Sequence, residues 1–166
     1  MTAQELFQEL LRLCEKVQDG VESEVLKLKT NLLIELRDEH GNLKDRREIH
    51  NLICTVGKQE LLKASTAKYV NQFSYMVIGT GTGAANIADT YATFTSPTYS
   101  TVITPTNPDA NTLQFQYTYA AGTGTGAITE SGLLDSNTTG KLLCRQTFSA
   151  INKAAADSLQ MTWQIT

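Results

Sequence analysis

The sequence predicts a mainly β protein: an antiparallel β-sandwich, for which a jelly roll is one strand order, with an N-terminal helix, a β-hairpin and a short helix. Residues 112–119 and 159–165 each alternate apolar with polar side chains, which is the period of a half-buried strand. Residues 1–68 hold 11 of the 14 Lys and Arg residues and 12 of the 17 Asp and Glu residues. The remainder is rich in Thr, Gly, Ala, Ser and Asn, a composition that favours strands joined by turns.

The length of 166 residues predicts one compact domain with an appendage. We assign residues 1–20 to an amphipathic helix and residues 21–166 to the β-sandwich, which includes a hairpin at residues 30–55. The formal net charge of −3 argues against a nucleic-acid partner. The N-terminus lacks the basic start of a secretory signal, and no apolar run approaches the ~20 residues of a membrane span. We therefore expect a soluble protein made in a cytoplasm, with no membrane partner.

The first 20 residues carry the signals of a helix. Thr2 and Glu5 have the spacing of a capping box, and Gly20 is a stop signal. The apolar residues between them recur at helical spacing and include Leu6, Leu10, Leu13 and Val17. A stripe of this width is not stable alone in water, so the helix must pack on the body of the chain or on a partner. Residues 1–20 are therefore a candidate attachment arm.

The hairpin at residues 30–55 is predicted from two alternating stretches on either side of a turn at residues 38–42. Its return strand carries four consecutive or near-consecutive polar residues, Arg46, Arg47, Glu48 and His50. We predict that they form a solvated face of cross-strand ion pairs, and we favour this over an anion-binding role.

The middle of the chain is predicted to contain a short helix at residues 56–68 and a strand that ends at Gly79. Residues 84–111 follow and hold all three prolines, so we predict a long loop-like excursion that serves as an interface. Its aromatic residues would be the anchors. The complete candidate interface is Leu6, Leu10, Leu13, Val17, Tyr91, Phe94 and Tyr99.

Residues 112–148 are predicted to form a β-meander with glycine corners. The last strand, residues 159–165, places Leu159, Met161, Trp163 and Ile165 on one face. We expect Trp163 to be a core anchor, and we expect this row to pack over the apolar row of residues 113–119.

No motif in the chain predicts catalysis, a cofactor or a metal. Residues 79–84 read GTGTGA and fit a dinucleotide-binding loop, but neither the helix nor the acidic residue that such a loop needs follows it. The similar residues 122–126 are flanked by strand patterns, so both segments are interpreted as glycine turns. The two histidines lie in the charged hairpin, and the three cysteines have no metal-ligand spacing, which predicts free buried thiols. The acids after residue 69 are too scattered to predict a catalytic pair: Asp89, Asp109, Glu130, Asp135 and Asp157.

Four segments together resemble β-rich virion structural proteins of tailed bacteriophages, over roughly residues 30–166. They are NLICTVGK at residues 51–58, YMVIGTGT at 75–82, ITESGLLD at 128–135 and RQTF at 145–148. The resemblance implies a non-enzymatic protein of the virion that forms homo-oligomers and contacts the major capsid protein or other virion proteins.

Within that class the leading interpretation is a capsid decoration (cement) protein that bridges and stabilises major capsid subunits. A tail, collar or fibre-anchoring protein is the alternative. A carbohydrate-binding adhesin, using exposed loop aromatics such as Tyr91 or Tyr99, is a second alternative from a different class.

Overall fold

The computed structural model describes residues 28–64, 73–95, 99–136 and 140–166. These ranges form a mainly β structure with two antiparallel sheets and one short helix. The predicted N-terminal helix, with Leu6, Leu10, Leu13 and Val17, lies outside the described residues. In the described part of the chain, no helix has both the length and the apolar character needed to cross a membrane.

The order of elements follows the sequence-based expectations closely at both ends of the described chain. The predicted hairpin, the short helix, the strand ending at Gly79 and the final strand are all confirmed. In chain order the elements are β1 Thr30–Arg37, β2 Leu43–Ile53, α1 Thr55–Ala64, β3 Tyr75–Gly79, a 3₁₀ turn Tyr91–Thr93, β4 Tyr99–Val102, β5 Thr106–Asp109, β6 Thr112–Tyr119, β7 Gly126–Leu134, β8 Leu142–Lys153 and β9 Ser158–Ile165.

Strand β2 joins the two sheets. Its first part pairs with β1 in the first sheet, which has the order β2-β1-β9-β6-β5. Leu52 and Ile53 pair with Arg145 and Cys144 of β8 in the second sheet, which has the order β4-β3-β7-β8-β2. The outer strands β4 and β5 are separated by residues 103–105 alone, so at most about 14 Å of extended chain connects the two sheet edges. The strand array is therefore folded over, with β2 at one side and the β4–β5 connection at the other.

The two sheets face each other across one hydrophobic core. The row Leu159, Met161, Trp163 and Ile165 is buried, as predicted. The indole Nε1 of Trp163 donates a hydrogen bond to Ser131 Oγ on β7 in the opposite sheet, at 3.3 Å. The Tyr119 hydroxyl donates in the same way to the Met76 carbonyl on β3, at 3.2 Å. Both aromatic side chains therefore contribute apolar surface to the core and a polar bond to the opposite sheet.

Two predictions about residues 112–148 are wrong. Strand β6 pairs with β9 and β5, whereas β7 pairs with β3 and β8, so the segment crosses between sheets and is not a meander. The crossover needs backbone with positive φ at Gly122, Gly124 and Gly126 (79°, 62° and 127°), which glycine adopts at little cost. The β6 row also lies beside the β9 row in the same sheet, with Phe115 opposite Trp163, and does not pack over it.

The segment predicted as one long loop contains β4, β5 and the 3₁₀ turn. Two of its prolines belong to β5 or its approach: Pro105 precedes the strand and Pro108 lies within it. Strand β5 is an exposed edge strand, where the missing proline N–H leaves no ladder bond unmade. Pro105 and Pro108 therefore indicate an edge strand, whereas the sequence-based prediction took them as signs of a loop.

The second sheet is covered on both faces. Its outer face carries a smaller apolar cluster of Cys54, Val77, Leu134 and Leu142, against which Tyr75, Tyr91 and Phe94 pack. This explains why β7 is buried at every position from Ile128 to Leu134 and shows no alternation of burial along that stretch. The loop between β3 and β4 lies over this face.

We predict that Trp163→Ala lowers the free energy of unfolding by about 3 to 5 kcal/mol, because it removes a fully buried large aromatic and its bond to Ser131. Urea denaturation followed by circular dichroism measures the change. Gln160→Ala, on the outward side of the same strand, is the matched control and should change stability by less than about 0.5 kcal/mol. Equal effects of the two substitutions would show that the inward assignment of Trp163 is wrong.

Candidate functional site

A buried group of charged side chains lies on the outer face of the second sheet, around Arg145 of β8. The Arg145 side chain is 1% exposed, and its Nη2 and Nε donate to Glu130 Oε2 on β7 at 2.8 and 3.0 Å. Glu130 is itself completely buried. The adjacent strands β7 and β8 bring the two side chains together, because Arg145 pairs with Gly132, two residues from Glu130. An isolated charge in this position would be very costly, so the pairing is a condition of folding.

A second carboxylate reaches the same guanidinium from the loop after β3. Asp89 Oδ2 accepts from Arg145 Nη1 at 2.8 Å, and the Gly83 carbonyl accepts from Nη2 at 3.3 Å. The ring of Phe94 lies 5.5 Å from the guanidinium carbon, a cation–π distance. We call Arg145, Glu130 and Asp89 the buried ionic cluster.

The surplus negative charge of this cluster is met by backbone N–H groups. Glu130 Oε1 accepts from Gly81 N at 2.6 Å and from Thr95 N at 2.8 Å, and Asp89 Oδ2 accepts from Asn86 N at 2.9 Å. The cluster therefore connects both ends of residues 81–95 to the sheet. These charge-assisted bonds are stronger than those between neutral groups.

The first glycine-rich segment is shaped by this cluster. A Cβ at Gly81 would stand 2.6 Å from both carboxylate oxygens of Glu130, and one at Gly79 would stand 2.6 Å from Oε1. Glycine is needed because the backbone approaches the carboxylate so closely. The likeness of residues 79–84 to a dinucleotide loop has the same origin: a backbone N–H is directed at an anion, and that anion is the chain's own Glu130.

Two free cysteines lie close to the cluster. Burial, helped by the nearby Asp89 carboxylate, raises the pKa of the Cys54 thiol to about 11. Burial also raises the pKa of Cys144 well above its ordinary value. Neither thiol forms a disulfide. Both therefore remain protonated at neutral pH and behave as small apolar groups, since the thiolate is the reactive form.

A smaller polar group lies at the turn between β8 and β9. Asp157 Oδ2 accepts from Lys44 Nζ of the β1–β2 hairpin at 2.7 Å, and this hydrogen bond lowers the pKa of Asp157. The buried Lys153 donates a hydrogen bond to the Ala120 carbonyl at 2.9 Å. Burial lowers the pKa of Lys153, and the negative charge of Asp157 partly offsets this decrease. These bonds hold together three connections at one end of the molecule. Among the residues that the structure describes, no group of three or more His, Cys, Asp or Glu is placed to hold a metal.

The aromatic residues of the candidate interface pack partly against the body of the protein. Tyr91 and Phe94 are half-buried on the outer cluster of the second sheet, and Tyr99 is half-buried against the main core. The other four candidates, Leu6, Leu10, Leu13 and Val17, lie outside the described residues.

The charged hairpin is only partly as predicted. Arg46 forms the expected cross-strand pair with Glu35, at 3.5 Å, and His50 is exposed. Arg47 is different: it pairs with the fully buried Ile34 in register, so strand alternation turns it toward the inner side of the sheet. It is not part of the solvated face.

The buried ionic cluster was missed at the level of sequence. Asp89, Glu130 and Arg145 are far apart along the chain, and the acids were judged too scattered to act together. A signal was present, because Glu130 and Arg145 each interrupt an apolar strand, and a charge inside a buried strand requires a partner. Which partner it finds depends on strand register, which the sequence alone does not determine here.

The chain has no match among protein-family models, curated proteins or solved structures.

We predict that Arg145→Ala lowers the free energy of unfolding by about 3 to 5 kcal/mol, since it leaves two buried carboxylates without a cation. Urea denaturation measures the loss. Arg46→Ala removes an arginine from an exposed pair and should cost at most about 1 kcal/mol. A loss of similar size in both variants would contradict a structural role for the cluster.

We also predict that Cys54 and Cys144 resist alkylation in the native protein at pH 8 and react in urea. Mass mapping of the modified peptides after brief iodoacetamide treatment measures this. Folding raises the pKa of the Cys54 thiol from 9.0 to about 11. The preference of the folded state for the protonated thiol therefore stabilises the protein fully below pH 9, and this contribution declines as the pH rises toward 11. Rapid native modification of either residue at pH 8 would show that the burial described here is wrong.

Proposed function

We propose that this chain is a non-enzymatic structural protein of a bacteriophage virion, a capsid decoration protein that bridges neighbouring major capsid subunits. In this proposal the two sheets pack as an antiparallel β-sandwich, with residues 1–20 as a helical attachment arm. The protein would be made in the host cytoplasm and act as a homo-oligomer on the virion.

The observation that carries the proposal is the convergence of the four segments that resemble phage virion proteins. Gly81, Glu130 and Arg145 come from three of them and meet in the buried ionic cluster. The fourth reaches the same strand: Cys54 N donates to the Leu143 carbonyl at 2.9 Å, and a Cβ at Gly57 would stand 2.5 Å from that oxygen. Because the four segments contact one another, their resemblance to phage virion proteins supports a resemblance in fold and not only in short stretches of sequence.

The charge distribution also supports a structural role. The charged groups of the buried ionic cluster are occupied with one another and with backbone N–H groups. A substrate would have to displace these bonds to reach any of them. Their arrangement supports rigidity of the loop over the second sheet.

The outer face of the first sheet supports a role in assembly. Neutral side chains of β9 and β6 are hydrogen-bonded across the strands, as in Gln164 to Gln114 at 2.9 Å and Gln116 to Thr162 at 3.0 Å. Side chains that are already ordered lose little entropy when another protein covers them. The adhesin alternative gains no comparable support, because Tyr91 and Tyr99 already pack on the body of the chain.

The test is to find the chain in purified virions of the phage that encodes it. Quantitative mass spectrometry should give a copy number comparable to that of the major capsid protein, and cryo-EM should place the chain on the capsid surface between subunits. A few copies confined to the tail or neck would replace decoration by the tail or collar role. Absence of the chain from infectious, purified virions would overturn the proposal.

A further inference from the structure

The loop over the second sheet carries an exposed isoleucine. Ile87 is 51% exposed, and in the described part of the chain the other exposed large hydrophobic side chains are Leu43, at 49%, and Val102, at 62%. Leu43 begins β2 and is followed by a run of charged residues, whereas Val102 ends the edge strand β4. Single exposed apolar side chains are common on soluble proteins, so exposure alone does not indicate a contact. What distinguishes Ile87 is the way its backbone is held.

The turn that carries Ile87 is tied to the buried ionic cluster. Asn86 N donates to Asp89 Oδ2 at 2.9 Å, and Asp89 N donates to the Asn86 carbonyl at 3.0 Å. Between them, Ala88 N donates to Asn86 Oδ1 at 2.9 Å. Asp89 is itself bound to Arg145. The residues on both sides of Ile87 are therefore fixed relative to the second sheet.

A further bond holds Ile87 from the other side. Its own carbonyl accepts a hydrogen bond at 2.8 Å from the N–H of Thr55, the first residue of α1. The Ile87 side chain is also β-branched, which restricts its rotamers. A side chain on such a backbone loses little conformational freedom when another molecule covers it, and this lowers the cost of binding.

The surroundings of Ile87 along the chain are small and uncharged. Residues 79–88 read GTGTGAANIA, and Ala84 and Ala88 are exposed as Ile87 is. The centres of protein–protein interfaces are poor in charged residues, because burying a charge costs free energy. A branched apolar side chain among alanines therefore fits an uncharged, apolar depression on another protein.

We infer that Ile87 is the anchor through which residues 84–88 dock into an apolar depression on a neighbouring virion protein. This inference rests on the proposed function and names a contact that the function requires. It also changes the interface predicted from sequence, because Tyr91 and Phe94 pack on the chain's own second sheet and Ile87 is directed outward. The buried ionic cluster then has a second role, since it fixes the turn that presents Ile87.

The first test is hydroxyl-radical footprinting, read by mass spectrometry, of the free chain and of the chain in purified virions. For each side chain, the rate in virions is divided by the rate in the free protein. Leu43 and Val102, which are about as exposed as Ile87, measure general shielding by the particle. Ile87 should be protected more strongly than both. Protection no greater than that of Leu43 and Val102 would overturn the inference, whereas absence of the chain from virions would overturn the proposed function.

The second test measures binding of the purified full chain to virions produced without it. Ile87→Ser keeps the backbone bond to Thr55, and urea denaturation checks that it folds like the parent. It should bind about tenfold more weakly, because an apolar anchor no longer leaves water on docking. Val102→Ser is the matched control and should bind like the parent. If the parent binds and Ile87→Ser binds equally well, the inference is wrong and the proposed function stands; if the parent does not bind, both fail.

Discussion

The structure depends on one buried cation. Arg145 lies on the covered outer face of the second sheet, so its charge must be compensated within the protein, and only the correct strand register and loop path do this. The register of β7 against β8 brings Glu130 to one side of the guanidinium. The path of residues 81–95 brings Asp89 and two backbone N–H groups. A misplaced strand or an open loop would leave a charge buried and unpaired, which makes the native arrangement specific as well as stable.

Hydrophobic burial and this polar cluster have different roles. Trp163 and the rows around it hold the two sheets together, and strand β2 joins the sheets covalently. That packing leaves the outer face of the second sheet apolar and in need of cover. The ionic cluster attaches the loop that covers it, with Phe94 placed over Arg145. The polar bonds therefore position the loop whose Tyr91 and Phe94 pack on this face.

The parts of the fold that were predictable from sequence are those governed by local pattern. Alternation in residues 159–165 identified β9 and the inward side of Trp163, and the turn at residues 38–42 identified the hairpin. Pairing between distant segments was not predictable: β6 and β7 are consecutive yet lie in different sheets, and Asp89 meets Arg145 across 56 positions. Arg47 was misplaced for a simpler reason, since a charged residue was assumed to face solvent where alternation required the inner side.

The most direct test of this account is native-state hydrogen exchange at the Gly81 and Thr95 amides, which donate to Glu130. If the buried ionic cluster fixes the loop over the second sheet, both amides should exchange only through global unfolding, with free energies close to those of the β7 and β8 core. Exchange at the rate of a freely exposed amide would contradict it. The loop would then open independently of the sheet, and Arg145 would lose its pairing without unfolding the protein.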